Sequence, residues 1–324
     1  MKKLIMTIFG MAFLVMMAAN VWAADKKVYK LRLASVSGPA HLHNVVMKKW
    51  AEDVKTETNG RLVIRILDGA QLGGEREYIE GMRLGTIDMA QVSTGPISSF
   101  VPQFMVCALP YVFQDYDQIA ATLEGPLGQK LFELLKQENI IGLTWFTNGF
   151  RSVFNSKRPI NTPADLKGLK IRVMESPLMV GTLNSMGASA TPMAYGELYT
   201  ALQQGVMDGA ENAPGNVLND KFYEVAKYFS VTEHFAPPGV VAISSAAFNK
   251  LPEDLQTYLV KSAKELGKME RAADKEAQVK FLEDLKAKGV NVNTVDKAAF
   301  TEAVQPVIEQ FSEEIGPEVM TLLK

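Results

Sequence analysis

Apolar positions repeat every second residue in some segments of the chain and every third or fourth residue in others, and the two patterns alternate. Leu31 and Leu33 alternate with the charged Lys30 and Arg32, which predicts a half-buried strand. The next segment, residues 42–59, places apolar side chains on one helical face and ends in an Asn-Gly pair that stops a helix. Strands that alternate with helices predict βαβ units and a mostly parallel sheet.

The same alternation continues along the chain in two sets, and the second set begins near Gly149. In the first set we predict strands at residues 61–67, 87–92 and 140–146, and helices at residues 75–84 and about 118–137. In the second set we predict strands at residues 151–155, 169–174, 190–193, 228–232, 240–244 and 290–295, and helices at residues 178–186 and 195–204, after Asn216, and around Phe311 and Met320. The helical pattern of residues 252–288 is longer than most globular helices, so we expect it to bend or to run across both sets.

The N-terminus has the pattern of an export signal. Lys2 and Lys3 precede an uncharged apolar run of about 16 residues, and residues 21–23 (Val-Trp-Ala) fit the small-x-small rule for cleavage after Ala23. Because a membrane span needs roughly 20 apolar residues, we predict a signal peptide at residues 1–23 rather than an anchor. The expected product is periplasmic and is not embedded in the membrane after cleavage.

Length and charge limit the classes of function. A chain of 324 residues can form two domains, each with its own core, and its net charge of −2 is small and mixed in sign. Because there is no basic stripe, we expect no nucleic-acid partner, and an anionic ligand would need local positive groups. The single cysteine, Cys107, cannot form an internal disulfide and lies in an apolar stretch, where it is predicted to pack as a small hydrophobe.

Motifs for catalysis, phosphate binding or metal coordination are missing from the sequence. It has no Gly-rich phosphate loop, no HExxH, no paired CxxC and no nucleophile elbow. His41 and His43 are two residues apart and suit a metal only if other ligands converge, so we interpret them as loop histidines. His234 could act as a base, but no nucleophile in a recognisable context accompanies it. We therefore expect no metal and no cofactor, while catalysis by unpartnered carboxylates stays open.

Several blocks of the sequence resemble one family, in the same order along nearly the whole chain after residue 23. The blocks are residues 73–77 (GGERE), 85–90 (GTIDMA), 109–113 (LPYVF), 165–173 (DLKGLKIRV), 191–203 (TPMAYGELYTALQ), 205–212 (GVMDGAEN) and 221–228 (KFYEVAKY). Together they are similar to the DctP-type solute-binding proteins of TRAP transporters. One departure is Leu42, where relatives often carry Pro after the first-loop histidine, here His41.

The resemblance implies an α/β clamshell of the periplasmic-binding-protein type, with two lobes, a hinge near Gly149 and Pro237-Pro238, and a central ligand cleft. On this chain it places lobe I at residues 24–148 plus about 238–277, and lobe II at residues 149–237 plus about 278–324. It also implies an extracytoplasmic receptor that is not an enzyme and that delivers a small organic acid to TRAP membrane permease subunits.

The resemblance further indicates which residues face the ligand. Arg172 matches the family arginine that pairs with the ligand carboxylate, and Arg151 matches a second ligand-facing arginine. Asn212 matches a polar residue of the cleft wall, while Glu75 and Tyr195 match positions that often line the pocket. From the residues alone, Asn212 could instead stabilise a turn, Tyr195 could pack in a core and Glu75 could favour a helix dipole.

The alternation around Arg172 is compatible with this role. Ile171 and Val173 face one way and Arg172 the other, so the arginine needs either an anion or solvent. A guanidinium offers a carboxylate two parallel N–H donors, which fix its orientation. From the residues alone, a surface position or a salt bridge between lobes stays open for Arg172, and a structural pair stays open for Arg151.

The class of ligand is predicted less sharply than the class of protein. The segments at residues 208–212 and 232–234 resemble subgroups that take sugar acids, so we favour a hexuronate, with C4-dicarboxylates and small hydroxy acids as alternatives. Two other functions also stay open. One is a sensing module that signals to a membrane histidine kinase or chemoreceptor, and the other is a periplasmic enzyme that uses Arg172 as a substrate clamp.

Overall fold

The computed structural model describes residues 27–323. The predicted signal peptide, residues 1–23, lies outside the described residues. Across the part of the chain that is described, no helix has both the length and the apolar character that crossing a membrane requires.

Secondary structure follows the predicted alternation. The strands, numbered in chain order, are β1 (Tyr29–Ala34), β2 (Leu62–Leu67), β3 (Met89–Ser93), β4 (Ile140–Phe146), β5 (Arg151–Asn155), β6 (Lys170–Val173), β7 (Ser189–Pro192), β8 (Gly209–Asn212), β9 (Tyr228–Phe235), β10 (Gly239–Ser244) and β11 (Asn291–Thr294). The α-helices are α1 (Leu42–Glu57), α2 (Glu75–Leu84), α3 (Thr94–Ile97), α4 (Tyr116–Glu124), α5 (Pro126–Gln137), α6 (Pro177–Ser185), α7 (Leu198–Gln203), α8 (Pro214–Asn219), α9 (Ser245–Phe248), α10 (Glu253–Ala287), α11 (Lys297–Ile315) and α12 (Pro317–Met320). Short 3-10 turns cover Pro102–Ala108, Pro163–Leu166, Tyr195–Glu197, Phe222–Glu224 and Thr321–Leu323.

The strands form two mixed sheets, one in each lobe. The first has the order β2-β1-β3-β10-β4, and only β10 runs against its neighbours. The second has the order β11-β9-β5-β8-β6-β7, and there only β5 runs against its neighbours. The predicted two-lobed α/β fold is confirmed, and its sheets are mostly parallel.

Both sheets are covered by apolar side chains on two faces, as the faces of largely parallel sheets are. The first sheet lies between one cluster that includes Leu33, Trp50 and Val241 and another that includes Met82, Ala90 and Val240. The second sheet has the same construction, with clusters that include Ile171, Val173 and Phe300 on one side and Phe154, Ala210 and Phe229 on the other. Each sheet therefore has apolar packing on both faces, and the cluster with Met82, Ala90 and Val240 also contains Leu178 and Phe311, which lie in the second half of the chain.

The chain passes between the lobes in three places. Residues 147–150 join β4 to β5, and residues 236–238 return from β9 to β10. These two connections are neighbours, because Phe146 pairs with Gly239 in the first sheet and Arg151 pairs with Phe235 in the second. The third passage is α10, which contacts α1 and β4 in the first lobe and α8 in the second. The helix predicted at residues 252–288 thus runs across both lobes, as expected.

One predicted helix is wrong in its extent. The segment 118–137 was expected to be continuous, but α4 ends at Glu124 and α5 begins at Pro126. Pro126 has no backbone N–H to continue the ladder of α4, and it occupies the first position of a new helix, where proline is favoured.

Candidate functional site

Side chains at the ends of strands from both sheets converge on one cavity between the lobes. The cavity encloses about 390 Å³ of space between atoms, part of which is open to solvent. Its walls are formed by Val36, Ser37, His41, His43, Glu75, Gln91, Ser93, Asn148, Arg151, Arg172, Met174, Tyr195, Asn212 and Asn216. Half of these residues, seven of the 14, lie on or just after β1, β3, β6 and β8. The carboxyl ends of parallel strands are the usual place for ligands in α/β folds.

Arg172 lies on β6 with its side chain directed away from the lobe II core. Ile171 and Val173 pack in that core, so the predicted alternation is confirmed. Nε and Nη2 of Arg172 donate to the backbone carbonyl of Met193 at 2.9 and 2.6 Å, and its guanidinium carbon lies 5.7 Å from the centre of the Tyr195 ring. The remaining nitrogen, Nη1, is buried and has no hydrogen-bond partner among the described residues.

The charge of Arg172 is poorly compensated. The side chain is only 2% exposed, and burial is the largest influence on its pKa, which it lowers. Glu211 and Glu75 raise this pKa through their charges, while the nearby Arg151 lowers it. None of the carboxylates described forms an ion pair with Arg172. An anion beside Nη1 would therefore relieve an unfavourable burial of charge.

Arg151 stands at the start of β5, and most of its donors are already engaged. Its Nε and Nη2 donate to the carboxylate of Glu211 at 2.5 and 2.9 Å, and Nη2 also donates to the backbone carbonyl of Glu211. Nη1 donates to Oδ1 of Asn212 at 2.7 Å. Both charges of the Arg151–Glu211 pair are buried. The structural pair that the sequence left open for Arg151 is present, although the side chain also lines the cavity.

Asn212 is the last residue of β8, so it lies in a strand and not in a turn. Its Oδ1 accepts three hydrogen bonds, from Arg151, from the backbone N–H of Ala213 and from Nδ2 of Asn216. Its own Nδ2 is buried without a partner among the residues described. Together with Nη1 of Arg172, this amide provides a second unused donor at the cavity.

Glu75 brings an acceptor from the opposite lobe. It is the first residue of α2, which begins after Gly74 and ends at Gly85, where φ of 75° is a left-handed value that glycine adopts easily. Oε1 of Glu75 accepts from the backbone N–H of Ser93 at 2.6 Å. Burial raises the pKa of this carboxyl, and hydrogen bonds from Ser93 and the charges of Arg172 and Arg151 only partly oppose that shift.

Tyr195 is partly buried beside Arg172. Its hydroxyl donates to Oδ2 of Asp220 at 2.6 Å, and its ring meets Phe222 edge-on. The ring face lies towards the Arg172 guanidinium, an arrangement in which the aromatic quadrupole favours the cation. All five residues that the family resemblance indicated therefore line one cavity.

Several wall residues were not found from the sequence. They are Ser37, His43, Gln91, Ser93, Asn148, Met174 and Asn216, and Glu211 supports the wall from behind Arg151. Small polar residues at strand ends resemble ordinary loop residues, so no local signal distinguishes them. Glu211 became recognisable only in the structure, where Arg151 opens a strand that is buried throughout and therefore needs a counter-charge.

The three histidines have different positions. His41 and His43 line the cavity, whereas His234 does not. His234 is fully buried on β9 with Nδ1 2.8 Å from Oγ1 of Thr232, and burial together with the charge of Arg151 lowers its pKa to about 3. Over residues 27–323, no cluster of three or more histidine, cysteine or acidic side chains could hold a metal ion.

Two hydrogen bonds join the lobes at residues next in the chain to, or near, residues of the cavity wall. In the first, the backbone N–H of Gly38 donates to Oδ1 of Asp220 at 3.3 Å. In the second, Oγ of Ser99 donates to the backbone carbonyl of Glu175 at 2.9 Å. A ligand held here would be shielded from water, which strengthens its electrostatic interactions with the wall.

Comparison with known proteins agrees with this geometry. Residues 33–314 match the family model described as bacterial extracellular solute-binding protein, family 7. A solute-binding protein of Verminephrobacter eiseniae is 37% identical over 281 residues, which cover 86% of this chain and 84% of that protein.

Two crystal structures of TRAP periplasmic solute-binding proteins are also similar to this chain, each with a TM-score of 0.86. The protein from Sulfitobacter sp. NAS-14.1, with bound β-D-galacturonate, is 34% identical and the match covers 91% of this chain and 98% of that one. The protein from Chromohalobacter salexigens DSM 3043, with bound D-glucuronate, is 35% identical, with 90% and 97% covered.

Proposed function

The chain belongs to family 7 of the bacterial extracellular solute-binding proteins, the periplasmic receptors of TRAP transport, and we propose that its ligand is a sugar acid of the hexuronate class. The family is one of binding proteins and not of enzymes. The proposal includes delivery of the bound acid to TRAP membrane permease subunits. The observation that carries it is that Arg172 lines the cavity and that its buried Nη1 has no hydrogen-bond partner among the described residues.

A carboxylate on the ligand is the group that best satisfies the unpartnered donors of Arg172 and Asn212, which form one end of the cavity. Nη1 of Arg172 and Nδ2 of Asn212 are both donors, and a carboxylate accepts through two oxygens. Because Glu211 already neutralises Arg151, the positive charge left over at this end is the single charge of Arg172. One negative charge on the ligand is therefore enough to balance it.

The rest of the cavity suits an uncharged body with several hydroxyl groups. Its wall offers donors and acceptors from Ser37, Gln91 and Asn148, together with the carboxyl group of Glu75. A buried carboxyl accepts from ligand hydroxyls but repels a second ligand carboxylate. This arrangement favours a sugar monoacid over a C4-dicarboxylate.

We also propose the lobe boundaries expected from the sequence, with a hinge at the passages near Gly149 and Pro237-Pro238. Each boundary separates segments of the chain whose strands belong to different sheets. The strands of the first sheet lie within residues 29–146 and 239–244, and those of the second lie within residues 151–235 and 291–294. The end of the chain touches both lobes, since the cluster that contains Val319 also contains residues of the first lobe.

Calorimetric titration with D-glucuronate tests the ligand class. We expect saturable binding of one molecule per chain, an unchanged sugar acid in the NMR spectrum after long incubation, and an affinity for succinate at least about tenfold weaker because its second carboxylate meets Glu75. Conversion of D-glucuronate into a product would contradict the receptor function. Tighter binding of succinate than of any sugar acid would contradict the sugar-acid class alone.

Replacing Glu75 with Gln is expected to shift the preference between the two ligands. Removal of the buried negative charge should change the ratio of affinities in favour of succinate by about tenfold or more, since like charges in such a site cost several kcal/mol. The titrations belong at pH 8, because the raised pKa of Glu75 favours its neutral form at lower pH.

Glu80→Gln is the matched control for this experiment. Glu80 lies on the same helix, α2, but pairs with Arg76 at the surface, so its replacement should leave the ratio unchanged. An equal shift in both variants, or no shift in Glu75→Gln, would show that Glu75 does not select between the ligands.

A further inference from the structure

His43 lies between the cavity and the passage from β4 to β5. It is on α1 of lobe I, is 4% exposed and belongs to the cavity wall. Its Nε2 lies 2.9 Å from the backbone carbonyl of Thr147, the first residue of that passage. The same nitrogen lies 3.2 Å from Oε1 of Glu270, which is buried on α10. Nε2 of His43 is therefore already engaged by groups of the protein.

The contact with Thr147 determines the tautomer of His43. A backbone carbonyl can only accept a hydrogen bond, so Nε2 carries a proton and donates it. Thr147 is itself held in place, because its backbone N–H donates to Oε2 of Glu270 at 2.9 Å and its Oγ1 donates to Oδ2 of Asp274 at 3.0 Å. In a neutral imidazole with its proton on Nε2, the other nitrogen, Nδ1, is an acceptor.

The His43 ring is neutral at pH 7.5. A histidine with the ordinary pKa of about 6.5 is mostly uncharged at this pH, and burial, the largest influence here, lowers the pKa of His43 further. The charges of Asp274 and Asp220 oppose this shift, and so do hydrogen bonds with Thr147 and Gln91. The ring therefore provides one donor, at Nε2, and one acceptor, at Nδ1.

We propose that Nδ1 of His43 accepts a hydrogen bond from a hydroxyl group of the bound sugar acid, so that His43 is a specificity-determining residue of the receptor. The proposal rests on the proposed function, because it concerns the uncharged body of that ligand. Nε2 is engaged by Thr147, so Nδ1 is the ring nitrogen left for a ligand in the cavity. An acceptor selects hydroxyl groups, which can donate, over carboxylate oxygens, which cannot.

Nitrogen-15 NMR of the full mature chain at pH 7.5 tests this arrangement. The sequence has three histidines, so the signals of His43 are assigned by their loss in His43→Gln, or by elimination with His41→Gln and His234→Gln. We expect a protonated Nε2 and an unprotonated Nδ1 in the free protein, and an Nδ1 signal that moves when D-glucuronate is added.

Two NMR results would overturn the proposal. The first is a proton on Nδ1 of His43 in the free protein. The second is an Nδ1 signal that saturation with D-glucuronate leaves in place, which is the result expected if the amide of Gln91, also in the cavity wall, occupies Nδ1 instead of the ligand.

Calorimetry with D-glucuronate, and with analogues that each lack one of its ring hydroxyl groups, identifies the hydroxyl that His43 contacts. His43→Gln places an amide nitrogen near the position of Nε2, within reach of Thr147, but provides no acceptor at the position of Nδ1. This variant should bind D-glucuronate roughly 2- to 13-fold more weakly than the wild type, as expected for the loss of one hydrogen bond. For one analogue, the loss of affinity relative to D-glucuronate should be present in the wild type and absent in the variant.

Lys49→Gln is the matched control. Lys49 lies on the same helix, α1, but is exposed and pairs with Asp53 at the surface, so this variant should bind every analogue as the wild type does. If no analogue distinguishes folded His43→Gln from the wild type, His43 does not contact a ligand hydroxyl, while binding of D-glucuronate still supports the receptor. Absence of binding of both D-glucuronate and D-galacturonate to the wild type would overturn this inference and the proposed ligand class together.

Discussion

Replacing Arg172 with Ala is expected to weaken the binding of D-glucuronate by about 30-fold to several thousand-fold. Arg172 is 2% exposed and its Nη1 has no hydrogen-bond partner among the described residues, so the ligand carboxylate would be desolvated beside it. Removing one partner of such a buried charged pair costs roughly 2 to 5 kcal/mol. Titration calorimetry on the folded variant measures the loss directly.

Two further variants sharpen this experiment. Arg172→Lys should recover only part of the affinity, because the single nitrogen of an ammonium cannot occupy both the positions of Nε and Nη2 beside the Met193 carbonyl and the position of Nη1 beside a carboxylate. Arg65→Ala is the matched control, since Arg65 is an exposed arginine on β2 of the other lobe. If folded Arg172→Ala binds within threefold of the wild type, Arg172 does not hold the carboxylate.

Replacing Glu211 with Gln is expected to lower the free energy of unfolding by about 3 to 5 kcal/mol. The substitution keeps the shape of the side chain but leaves the buried charge of Arg151 without its counter-charge, and Glu211 is itself 0% exposed. Denaturant unfolding, followed by circular dichroism, measures the change.

The matched control is Glu138→Gln, which breaks the partly exposed pair with Arg83 and should cost no more than about 1 kcal/mol. Replacing both Arg151 and Glu211 with Met should destabilise less than Glu211→Gln alone, because no unpaired charge is then buried. A loss below about 1 kcal/mol in Glu211→Gln would mean that water or a neighbouring group compensates Arg151 in solution.

Local patterns in the sequence predicted the elements well. The strand alternation of Ile171, Arg172 and Val173 placed the arginine on the face away from the core, and the contacts of β6 confirm it. The helix at residues 75–84 was predicted with the bounds of α2. These features depend on backbone geometry within a few residues, where periodicity and capping act directly. The family resemblance added the two-lobed fold and five residues that line one cavity.

Long-range pairing decided the rest of the site. Glu211 meets Arg151 because β5 and β8 are neighbours in the second sheet, although 60 residues separate the two side chains in the chain. His41 meets Asn216 only across the closed cleft, 175 residues apart.

By itself, the sequence determined most of the strands and helices and which arginine faces away from the core, because those properties follow from local periodicity. Only the tertiary structure decided which charges are neutralised and which donors are left for a ligand, because both depend on groups that strand order and lobe closure bring together.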